Sequence, residues 1–66
     1  MQIKVNGEVR EMPESSTMLD LIRSLGLEER VMASALNMEI VKQDAWGNAV
    51  LKEGDTIELL DFVGGG

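Results

Sequence analysis

At 66 residues the chain has room for one domain with a thin core, because folding at this size hides only about 60% of the surface that the unfolded chain exposes. With 6 Lys and Arg against 12 Asp and Glu, the formal charge of -6 repels the phosphates of a nucleic acid, and the absence of Cys and His removes disulfides, thiolate metal sites and two of the commonest catalytic side chains. Too few residues remain to wall a pocket of roughly 300 Å³ or more, so catalysis by the chain itself is not expected; nor is a membrane span or a signal peptide, which makes the cytoplasm the expected location.

The composition is that of a folded domain, with 44% hydrophobic residues, 27% charged and a single proline. Met1, Ile3 and Val5 alternate with Gln2, Lys4 and Asn6, the period of a strand with one buried face. Asn6-Gly7 then predicts a tight hairpin turn, since both residues tolerate positive φ, and Glu8 to Met12 reads as the return strand. After the polar stretch Pro13 to Ser16, the spacing of Met18, Leu21, Ile22 and Leu25 predicts a helix over Met18 to Leu25. Thr17 is placed to cap it, Asp20 to favour its dipole and Gly26 to end it in a left-handed C′ conformation.

Val31 to Leu36 is apolar at both parities, as in a central strand, and the small Ala33 and Ala35 leave room there for the helix to pack closely. Asn37 supplies turn chemistry ahead of Ile40 and Val41. Trp46-Gly47-Asn48 reads as an irregular loop whose indole plugs one end of the core; stacking on a ligand is the other reading of that ring. Lys52 to Asp55 reads as a turn, and Thr56 to Val63 as the last strand, with Ile57 and Leu59 facing the core. These elements make an α+β fold, a mixed sheet of four or five strands with one main helix on one face.

The chain ends Gly64-Gly65-Gly66, three of its seven glycines in a row. The expected organisation is a domain over residues 1–63 and a flexible tail over 64–66. Such a tail is either a frayed terminus or cloning remnant, or a thin thread that carries its terminal carboxylate into a narrow channel. A carboxylate is a poor electrophile, and adenylation would convert one oxygen into a good leaving group for attack by sulfur or another nucleophile.

The order of elements, ending in a strand that feeds terminal glycines, is that of the ubiquitin-like β-grasp fold. The chain resembles the thiamine-pathway sulfur carrier family, ThiS, along essentially its whole length. The resemblance is carried by M-Q-I-K-V-N-G at the start, T-M-L-D-L-I in the helix, A-L-N-M-E-I-V at residues 35–41, Trp46, G-D-T-I-E-L at 54–59 and the G-G end; Gly64 is one glycine more than the family requires. It implies that a ubiquitin-activating-like adenylating enzyme uses ATP and magnesium to activate the carboxylate of Gly66. A sulfur donor, a cysteine desulfurase or its equivalent, then yields a thiocarboxylate, which passes its sulfur to thiazole synthase. Gly66 is in this reading the covalent carrier, and Gly64 and Gly65 give clearance for threading. The chain itself binds no cofactor or metal and is monomeric when free.

Strand alternation puts Leu60 and Phe62 on the face opposite Ile57 and Leu59, which makes them candidate docking anchors with acidic Glu58 and Asp61 at the rim; the other possibility is that the chain covers them itself. Alternative functions are the small subunit of molybdopterin synthase, a ubiquitin-like protein modifier joined to lysines through Gly66, and a plain binding module with an inert tail. Glu28, Glu29, Asp44 and Glu53 lack motif spacing and read as solvated charge.

Overall fold

The alternation at the start becomes β1 (Gln2–Val5), with Ile3 and Val5 buried and Gln2 and Lys4 exposed. Asn6 and Gly7 take φ of 48° and 88°, the two positive values that a type I′ turn requires. The turn returns the chain as β2 (Glu8–Glu11), one residue shorter than expected and exposed throughout. This computed structural model describes residues 1–61. The expected strand end at Phe62 and Val63, and the division at Gly64, therefore lie outside the described residues.

The helix forms as α1 (Met18–Ser24), held at its amino end by a capping box. Thr17 Oγ1 accepts from the Asp20 N–H at 3.1 Å, and Asp20 Oδ2 accepts from the Thr17 N–H at 2.9 Å. At the other end Leu27 N–H donates to the Ile22 carbonyl and Gly26 N–H to that of Arg23, a Schellman closure around Gly26 at φ 71°. Thr17→Ala is expected to cost about 1 kcal/mol. In a domain of this size that lowers the melting temperature by roughly 4–8 °C, which a thermal scan by circular dichroism checks.

Three further strands complete the sheet among the described residues: β3 (Val31–Leu36), β4 (Glu39–Val41) and β5 (Thr56–Asp61). They join β1 and β2 in a mixed sheet of order β2-β1-β5-β3-β4, in which β1 and β5 are parallel and the other neighbours antiparallel. The last strand is thus the central one. Met18, Leu21 and Ile22 of α1 pack with Ile3, Val5, Val31, Leu51, Ile57 and Leu59 into a core on one side of the sheet. No helix among the described residues is long and apolar enough to cross a membrane.

Two expectations need correction. A register shift between Val31 and Ala33 marks a bulge in β3. Beyond it Ser34 lies opposite Leu59 and Leu36 opposite Ile57, so those two share the core face, because directly paired residues point the same way. Ala33 and Ala35 face away from α1 and provide no clearance for it. Ser34 is instead the fully buried residue, its hydroxyl donating to the Val41 carbonyl at 3.1 Å. The stretch around Trp46 is likewise not an irregular loop but a 3-10 helix, Gln43–Asn48. Its indole is 1% exposed and donates through Nε1 to the same Val41 carbonyl at 3.1 Å, so the plug reading holds and the ring has no face for a ligand.

Candidate functional site: the open face beside the last strand

One side of the sheet is covered by α1; the other carries no helix among the described residues. On that open face β5 presents Glu58 and Leu60, the residues opposite in parity to buried Ile57 and Leu59. Leu60 is 47% exposed, so its own chain covers only about half of it. Glu58 is exposed on the same face, as expected. Asp61 pairs through its backbone with Val31, and Phe62, Gly64, Gly65 and Gly66 lie outside the described residues.

Register extends this face beyond what alternation in β5 could predict. Ala33 lies opposite Leu60, Ala35 opposite Glu58, and Ile40 of β4 opposite Ala35. Ile40 is 63% exposed and Leu60 47%, while Ala35 between their strands is only 9% exposed, so this face offers two open apolar residues on either side of a covered alanine, beside exposed Glu58. The only local hint of the missed residues is that Ile40 stands apolar between Glu39 and Val41 in a three-residue edge strand.

No group of three or more acidic side chains among the described residues converges as a metal site. Glu28 pairs with Arg23 at 3.2 Å and Glu53 Oε1 accepts from the Gln2 N–H at 2.9 Å, so these two, read as solvated charge, each hold a partner within the fold. What the geometry offers is a strand hydrogen-bonded on both sides, an apolar patch beside its end and a chain that continues toward three glycines.

Comparison with known proteins bears directly on that arrangement. The ThiS family model matches residues 3–66. The sulfur carrier protein ThiS of Bacillus subtilis is 32% identical over 65 residues, covering 97% of this chain and 98% of its own. A thiazole synthase of Paramagnetospirillum magneticum is 35% identical over 66 residues, and the chain spans just 20% of that protein's length. The crystal structure of a thiamine biosynthesis protein, ThiS, from Geobacter metallireducens superposes with a TM-score of 0.81 at 31% identity, covering 100% of both chains. This solved structure shares the sheet and helix described above, and the family match spans nearly the whole sequence, so the chain belongs to the ThiS family.

Proposed function

We propose that the chain is a sulfur carrier of thiamine biosynthesis, a cytoplasmic co-substrate handled by partner enzymes and not itself a catalyst. The working group is the carboxylate of Gly66. An adenylating enzyme of the ubiquitin-activating type binds the open sheet face and takes the tail into its own active site, with ATP and magnesium supplied there. One carboxylate oxygen attacks the α-phosphorus of ATP and pyrophosphate leaves. The outer sulfur of a persulfide on a donor such as a cysteine desulfurase then displaces AMP to give an acyl disulfide. A second thiol attacks the donor's sulfur, breaking the S–S bond and leaving the thiocarboxylate and a new disulfide. Thiazole synthase receives the sulfur from the resulting thiocarboxylate.

The observation that carries this reading is the position of β5. The strand that leads into Gly64-Gly65-Gly66 is held between β1 and β3, with exposed Leu60 beside its end. Three glycine residues extend at most about 10 Å, enough to cross the wall of an active site while the folded domain stays outside. Membership of the ThiS family supports the same chemistry. The thiazole synthase relatives support that enzyme as recipient, because each carries a segment similar to this whole chain within its own longer sequence.

The test is the intact mass of the protein after incubation with ATP, magnesium, a sulfur source and the adenylating enzyme. A gain equal to exchanging one oxygen for sulfur is expected; no gain with a demonstrably active enzyme overturns the reading. Leu60→Ser probes docking in the same assay. Losing about half the burial of a leucine at an interface is worth roughly 1.4 kcal/mol, so KM for the carrier should rise about 10-fold with little change in melting temperature. Unfolding of the free variant would show instead that Leu60 serves the fold.

A further inference from the structure

The parallel ladder between β1 and β5 steps by two residues along each strand. Lys4 N–H donates to the Asp55 carbonyl and Asn6 N–H to the Ile57 carbonyl, both at 2.9 Å. Continued once more, the pattern would send the Leu59 N–H to the main-chain carbonyl of Asn6. At Asn6, however, the backbone has turned into the left-handed region, φ 48°, to begin the hairpin. The Leu59 N–H donates to the side-chain Oδ1 of Asn6 at 2.8 Å instead. A side-chain carbonyl thereby stands in for the main-chain one, and the ladder runs one step past the end of β1.

The residue type follows from two demands at one position. Left-handed φ favours Gly, Asn and Asp, and an acceptor one carbon from Cβ is available from Asn and Asp alone. Alanine meets neither demand, and glycine meets only the first. Successive N–H groups of a strand point to opposite neighbours, so β3 cannot take over the Leu59 N–H. Leu59 is also buried, and a donor without a partner is costly there.

A second left-handed asparagine does the equivalent at the other end of the strand. Asn37, at φ 51°, donates its N–H to the Thr56 carbonyl at 2.8 Å and accepts the Thr56 N–H on Oδ1 at 3.0 Å. The strand is thus clasped at its beginning by Asn37 and near its exit by Asn6.

We infer that Asn6 is a positioning residue for carrier loading, the last fixed point on the β1 side among the described residues from which β5 presents Leu60 and the tail to a partner enzyme. The inference rests on the carrier reading above. Its force is geometric. Leu60 is the next residue after the one Asn6 holds, and a slip of β5 by a single residue displaces everything beyond it by about 3.3 Å. A misplacement of about 1 Å at a reacting centre can cost as much as 100-fold in rate.

The test uses the full chain and three variants. Asn6→Gly keeps the turn and removes the acceptor; Asn6→Asp keeps both; Asn37→Gly removes the matching bond far from the tail, together with the bond from Asn37 Nδ2 to Asp55 Oδ1. Thiocarboxylate formation with the adenylating enzyme is followed by intact mass, with kcat and KM separated, and the Leu59 amide is followed by hydrogen exchange. For Asn6→Gly, Leu59 exchange should accelerate well beyond that of Ile22 in α1, and kcat/KM should fall about 10-fold, mainly through KM. Asn6→Asp should restore both, and Asn37→Gly should load like the parent despite a comparable fall in melting temperature. The inference is overturned if Asn6→Gly loads like the parent, if Asn37→Gly loses as much, if aspartate fails to rescue, or if Asn6→Gly fails to fold. A parent that does not load at all defeats the carrier reading itself, and the positioning role with it, while Leu59 exchange still reads the hydrogen bond.

Discussion

Deleting Gly65 and Gly66 is expected to abolish sulfur loading completely while leaving the melting temperature within error of the parent. The core described here lies wholly within residues 1–61, so the deletion removes no buried contact of that part. It does move the terminal carboxylate back by two residues, about 7 Å of extended chain. No docked arrangement that preserves the Leu60 contact would then bring that carboxylate to the activating phosphate. A companion variant separates reach from shape. Gly65→Val keeps the length and the carboxylate but adds a branched side chain to the thread, and its kcat/KM should fall by about 100-fold or more if the tail passes through a narrow channel. Parental loading by the deletion variant would mean that a terminal Gly64 serves as carrier and that reach is not limiting, and parental loading by Gly65→Val would mean that the channel is wide.

The largest stability effect is expected at Trp46. Its indole is 1% exposed and spans the space between α1, Leu51 and the end of β4, with Nε1 tied to the Val41 carbonyl. Truncation of such a side chain costs about 3–5 kcal/mol. A chain of this size has roughly 3–10 kcal/mol in total, so Trp46→Ala should leave a substantial unfolded population at 25 °C. Trp46→Phe retains much of the burial and loses the hydrogen bond. The Val41 carbonyl keeps the Ser34 hydroxyl as a donor, so this variant should lose only about 1–2 kcal/mol. Urea denaturation followed by circular dichroism measures both, and equal midpoints for the two variants would contradict the plug.

On the proposed reading, the open sheet face is where the fold meets a partner enzyme. In β3 the bulge lets Val31 and Ser34 share the core side, which leaves Ala33 and Ala35 on the outer side between Leu60 and Ile40. Glu58 places a negative charge within this patch, and the chain's overall charge of -6 adds attraction toward a basic partner.

Several features were legible in the sequence because their causes are local. The Asn6-Gly7 turn, the Thr17 and Asp20 capping box, the left-handed Gly26 and the helical stripe from Met18 to Ile22 each depend on residues within a few positions of one another. The terminal glycines are conspicuous for the same reason, since nothing in a packed element calls for three in succession. Leu60 was placed on the outer face by simple alternation inside one strand.

What only the tertiary structure decided is everything that depends on which strand lies beside which. Periodicity cannot say that β5, last in the chain, inserts between β1 and β3 and runs parallel to β1. A single bulge reverses the parity of every residue after it, so the roles of Ala33, Ser34 and Ala35 could not be read from the spacing of β3 alone. Asn6 and Asn37 look like turn residues in the sequence, and they are; that each also holds β5 requires partners 53 and 19 positions away. Local sequence sets turns, caps and faces through short-range sterics and hydrogen bonds, whereas register and strand order are chosen by the burial of the whole core at once, and that choice exists only in the folded chain.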